Sequence, residues 1–132
     1  MADSPIHFEQ ADHNETLAWD LATQNPVKYK DWAVIIAFYS AIHYIEAFLS
    51  KEGIHTEDYE KPHIYRKNLV KQKLKIISIE YVELYHMSMT LRYLTNRAST
   101  SSMGKFLLNS DITRLVQSNL DNIKNEIKKR CI

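Results

Sequence analysis

The side chains best suited to chemistry in this chain are His63, Arg66 and Arg92, with Tyr39, His43, Glu46 and Ser88 as companions. Arginine presents a planar fork of donors that matches phosphate oxygens in pairs. Histidine changes charge near neutral pH and can move a proton. Together they suit an RNA or nucleotide phosphate. His63 would serve as general acid or base, and Arg66 or Arg92 would hold the developing negative charge. No Gly-rich phosphate loop, no Ser-His-Asp arrangement that spacing can support and no well-placed cysteine nucleophile competes with that chemistry. A metal site from His43, Glu46 and His63 is the weaker alternative. The first two lie one helical turn apart, but no His-x-x-x-His motif accompanies them, so neither a metal nor a cofactor is expected.

These residues must be positioned by helices. The chain has two glycines and three prolines in 132 residues, whereas glycine alone averages about 7%. Sheets with many hairpins need turn residues, and long helices do not. Ser4-Pro5 reads as an N-cap followed by a first-turn proline. A first helix is expected from about Ile6 to Thr23, ended by Asn25-Pro26. A second runs from Asp31 as N-cap to Gly53 as its C′ residue. A third opens at Lys61-Pro62 and reaches about Ile77. A fourth spans about Ile79 to Asn96. The Ser/Thr-rich stretch from Ala98 to Gly104 reads as a loop, and Ser110 or Asp111 caps a last helix to about Lys129. Residues 1–132 therefore form a single all-α domain, an up-and-down bundle of four to five helices.

Projection at 100° per residue sorts the faces. Ile112, Leu115, Val116, Ile123 and Ile127 share a stripe, as do Val70, Leu74 and Ile77. The second helix is apolar on nearly every side and should be central. His63 and Arg66 continue the stripe of the third helix. Ser88 and Arg92 share a face with Tyr81, Leu84, Tyr85 and Leu91. Tyr39, His43 and Glu46 share one with Trp32 and Ile36. A buried arginine needs a partner. These residues either line a ligand site between helices two, three and four, or form a polar network closing the bundle, with Glu46 neutralising an arginine. Tyr39, Tyr44, Tyr81, Tyr85 and Tyr93 are expected to pack the core rather than stack bases. His7, His13, His55 and His86 are expected at the surface or rim.

Net charge is +1, so total charge selects no partner. From Lys61 to Lys75, however, there are six basic residues and no acid, which could meet a phosphate backbone or simply be a solvated helix face. The lone Cys131 cannot form an intrachain disulfide, which suits a reducing, cytoplasmic setting. Met1 to Glu15 has no signal-peptide pattern. Ser40, His43 and Glu46 interrupt the apolar run Trp32–Leu49, so no membrane association is expected.

The run Asp31-Trp32-Ala33-Val34, then Phe38-Tyr39-Ser40-Ala41-Ile42-His43 with Glu46-Ala47, resembles the second helix of small HEPN-type domains. His63-x-x-Arg66 resembles the start of their next helix. Tyr81-x-x-Leu84 and Ser88-x-x-x-Arg92-Tyr93 resemble the helix after that. The likeness covers roughly residues 10 to 125. It implies a helical bundle, often a homodimer. It also implies either a metal-independent ribonuclease of toxin–antitoxin or antiphage systems, paired with a nucleotidyltransferase-type partner, or a non-catalytic RNA- or nucleotide-binding domain. Catalytic members carry Arg-x4-6-His. Here the windows after Arg66 (Lys71 to Lys73), Arg92 (Arg97 to Ser99) and Arg97 (Ser102 to Gly104) contain no histidine. Binding of RNA, a nucleotide or a protein partner is therefore expected. A ribonuclease with a rearranged His63/Arg66/Arg92 site and a purely structural dimerisation module are the alternatives. The ligand-binding set is Tyr39, His43, His63, Arg66, Ser88 and Arg92.

Overall fold

Asp3, not Ser4, caps the first helix. Its carboxylate accepts a hydrogen bond from the Ile6 amide at 3.5 Å, and Pro5 occupies the first turn, where a missing N–H leaves nothing unsatisfied. The computed structural model describes residues 3–24, 28–94 and 109–131, and α1 spans Ser4–Thr23. Ser4 is its first residue and is buried. Its hydroxyl donates to the Ala47 carbonyl at 2.5 Å.

The second helix, α2, spans Lys30–Lys51. Its N-cap position is Tyr29, and Asp31 lies inside the first turn, where a negative charge suits the helix dipole. Gly53 follows its end with φ at 77°, a backbone that glycine adopts without steric cost. Val34, Ile35, Phe38, Ala41, Tyr44, Ile45 and Leu49 are all buried on α2. It is the central element, flanked by α1 and by the two last helices. By length and composition this helix could cross a membrane, but 78% of its most apolar window is buried inside the bundle, as expected of a core helix.

α1 runs antiparallel to α2. Besides Ser4 to Ala47, the Ser40 hydroxyl donates to the Ala11 carbonyl at 2.8 Å, and Tyr44 reaches Asp12 and Glu15. Ala11 and Ala18 are fully buried at the contact, so small side chains bring the two backbones close. α3 spans Pro62–Lys73 and α4 spans Ser78–Leu94. The third helix does not continue to Ile77 as expected. Leu74 leaves helical geometry (φ −131°, ψ 46°), and a 3₁₀ turn, Lys75–Ile77, leads straight into α4. The break still lets both Leu74 and Ile77 enter the core.

The last helix, α5, joins α-helix Asn109–Thr113, a π-helical stretch Arg114–Asn119 and α-helix Leu120–Arg130. Its expected stripe, Ile112, Leu115, Val116, Ile123 and Ile127, is buried, with Leu120 added. The π-helical stretch has no signature in the apolar spacing. Asn119 at its end is buried and donates to Glu83 at 2.7 Å. Among the described residues there are five helices and no strand, an all-α bundle. The breaks expected at Asn25-Pro26 and from Ala98 to Gly104 lie outside the described residues.

Candidate functional site

Pro62 starts α3 with a fixed φ, so His63 and Arg66 emerge one turn apart on the side facing α2. Arg66 is 6% exposed and Glu46 4%, and such burial demands pairing. Arg66 Nε donates to Glu46 Oε1 at 2.6 Å. Arg66 Nη2 donates to Thr56 Oγ1 at 3.0 Å, and the Thr56 hydroxyl donates onward to the same Glu46 oxygen. Arginine, threonine and glutamate thus close a ring. Arg66 Nη1 lies 3.1 Å from His63 Nδ1. Since guanidinium only donates, this nitrogen of His63 is the acceptor. Burial, then the charges of Arg66 and Arg92, hold His63 below its usual pKa, with Glu46 opposing. Tyr81 lies beside this ring near Arg66, and among the described residues its hydroxyl meets no hydrogen-bond partner in good geometry. Burial pushes its pKa up to about 12.

Arg92 belongs to a second cluster. Its Nη1 donates to the Tyr39 hydroxyl at 3.0 Å and its Nε to the Ser88 carbonyl at 3.4 Å. The guanidinium stands 5.8 Å and 5.6 Å from the ring centres of Phe38 and Tyr39, within cation–π range. Lys61, Pro62, His63 and Ile64 from the start of α3 face Tyr85, Met89 and Arg92 of α4 across a cleft of about 200 Å³. Lys67 lies 5.1 Å from the Tyr85 ring centre. The cleft is therefore cationic at its rim and apolar along its wall.

His43 does not join either cluster through a hydrogen bond. Its Nδ1 is 3.0 Å from Nδ1 of His7, and the rings are 5.2 Å apart. His7, expected at the surface, is 9% exposed, because α1 lays its first turns against α2. Burial lowers the pKa of both rings. At His43 the neighbouring His7 lowers it further.

The six expected ligand-binding residues thus divide. His63 and Arg92 line the cleft. Tyr39 stands behind Arg92. Arg66 is enclosed in the ring with Glu46. His43 pairs with α1. Ser88 is fully buried, and its hydroxyl makes no hydrogen bond among the described residues. Tyr44, Tyr81 and Tyr85 are buried in the core, and Tyr39 is half-buried against it; Tyr93 lies outside the residues whose side chains are described. Thr56 and His7 had no sequence signal. One opens a short 3₁₀ turn, Thr56–Asp58, between α2 and α3, and the other is 36 residues from its partner. Of the basic segment, Lys61, Lys71, Lys73 and Lys75 are exposed, and Lys73 pairs with Glu52 at 3.0 Å. Among the described residues no group of three His, Cys, Asp or Glu side chains is arranged to hold a metal ion.

The arrangement defines a helical bundle with an internal ionic ring beside a cationic cleft. No protein-family model, curated protein or solved structure matches the chain.

Proposed function

We propose that this chain is a small HEPN-like binding module that takes an RNA or nucleotide phosphate in the cleft between α3 and α4 without cleaving it. One observation carries the reading. Lys61, His63 and Arg92 converge on a cleft that also offers Tyr85 and Met89 as an apolar wall. The cations suit phosphate oxygens, and the apolar wall suits a base or ribose. Arg66 is held by Glu46 and Thr56, so it works as a clasp rather than as a phosphate donor. With the absent Arg-x4-6-His spacing, that weighs against cleavage.

The test is fluorescence anisotropy with a short labelled single-stranded RNA, competed by a mononucleotide. Lys61→Ala and Arg92→Ala should each weaken binding about tenfold, the scale of one lost charged contact. Binding should also fall with salt. Unchanged affinity in both variants would remove the cleft from the reading.

A metal-independent ribonuclease is the second reading. It is favoured by a largely neutral His63 close to the charge of Arg92. RNA cleavage in chelator that Arg92→Ala abolishes would replace the binding reading with this one. The homodimer, the nucleotidyltransferase-type partner and a role in toxin–antitoxin or antiphage systems come with the resemblance. They belong to the proposal, and light scattering of the purified chain tests the dimer.

A further inference from the structure

We propose that His7 and His43 form a clip for one divalent transition-metal ion of the imidazole-seeking class, Zn²⁺, Ni²⁺ or Cu²⁺, which ties α1 to α2. Their Nδ1 atoms stand 3.0 Å apart. Imidazole–zinc bonds are about 2.0–2.1 Å, so two such nitrogens on one ion lie about 2.9–3.4 Å apart for square to tetrahedral angles. That spacing matches the bite of a chelate; in the free pair the rings meet nearly head-on, with centres 5.2 Å apart, so each ring turns for its lone pair to point at a shared ion.

Its spacing is held by the surrounding structure. The Ser4 to Ala47 bond lies on one side of the pair along the helices, and the Ser40 to Ala11 bond on the other. Both fix the offset of α1 on α2. A donor pair held in place before binding loses little freedom when the ion arrives.

The exchange also balances chemically. In the free pair one ring donates its Nδ1 proton to the other. When the ion takes both Nδ1 atoms, the donor ring carries its proton on Nε2 instead. Both rings stay neutral and no net proton is released. Glu46 and Glu57 bring negative charge near His7, against Arg66 and His55. Among the described residues no third ligating side chain completes a site, so water fills the remaining positions and the ion exchanges readily. Neither histidine lines the cleft, so the clip stands or falls independently of the binding reading.

The experiment is calorimetric titration of the full chain with Ni²⁺ alone. One site is expected, with a thermal midpoint that rises with Ni²⁺ concentration. His7→Ala and His43→Ala should each weaken binding at least tenfold and abolish the thermal shift. The exposed His13→Ala and His86→Ala, and also Cys131→Ser, should leave both intact. If an alanine variant fails to fold by circular dichroism, His7→Gln and His43→Gln decide, since the amide keeps the polarity but ligates poorly. No saturable binding up to millimolar Ni²⁺, or binding that survives loss of both imidazoles, overturns the proposal.

Discussion

Arg66→Met is the sharpest perturbation of the buried ring. The methionine keeps much of the side-chain volume and removes the guanidinium. Among the described residues Glu46 then retains only the Thr56 hydroxyl, in a place where its side chain is 5% exposed and its former ion partner stood at 2.6 Å. Breaking a buried pair from one side leaves an uncompensated charge and costs about 3–5 kcal/mol. A domain of this length has a total stability of about 7–20 kcal/mol, so the loss is large but need not unfold it. The thermal midpoint should drop by about 10–20 °C. Urea unfolding followed by far-ultraviolet circular dichroism measures it. The double variant Glu46→Gln with Arg66→Met removes both charges while an amide still meets Thr56, so it should recover part of the loss. A cost below about 1 kcal/mol for Arg66→Met would refute the argument that burial makes this pair indispensable. A double variant as unstable as the sum of the two singles would refute it as well.

Gly53→Ala places a Cβ where no atom lies within 4 Å, so only the backbone at φ +77° resists; a loss of about 1 kcal/mol in urea unfolding is expected, and Gly53→Asn should lose less. Tyr44→Phe removes a hydroxyl lying 2.8 Å from Asp12 and 2.6 Å from Glu15. It should cost about 1.5 kcal/mol, and no measurable change would mean that water at Asp12, and water with Lys124 (3.2 Å from Glu15) at Glu15, satisfy the carboxylates equally well. His63 has a folded-state pKa below its ordinary 6.5, so the unfolded chain takes the proton more readily. Its contribution to stability is present above that ordinary value and is lost as pH falls through the folded one. The charge gained at the cleft acts oppositely on a phosphodiester RNA, whose affinity should rise over the same interval; in His63→Gln both pH dependences should flatten.

The helical class and the core stripes were legible because both are local properties. Scarce glycine and proline excluded a turn-rich sheet protein. The spacing of Ile112, Leu115, Val116, Ile123 and Ile127 placed them on one side of a helix whatever that helix touched. The continuous apolar cover of α2 likewise required neighbours all round. The break at Leu74 and the π-helical stretch in α5 were invisible, because they alter the backbone while still burying Leu74, Ile77 and Asn119.

The sequence by itself determined that Arg66, Arg92, His43 and Glu46 would face inward and need partners. Only the tertiary structure decided which partners they have. A projection gives a side chain's direction around its own helix axis, but not the rotation or offset of that helix against the next. Those set Glu46 against Arg66, turned Arg92 onto Phe38 and Tyr39, and brought Thr56 in from the 3₁₀ turn between α2 and α3. They also placed His43 opposite His7, and left Lys61, His63 and Arg92 around one cleft. The physical reason is that side-chain direction is a property of three or four successive residues, whereas pairing is a property of packing across the whole chain.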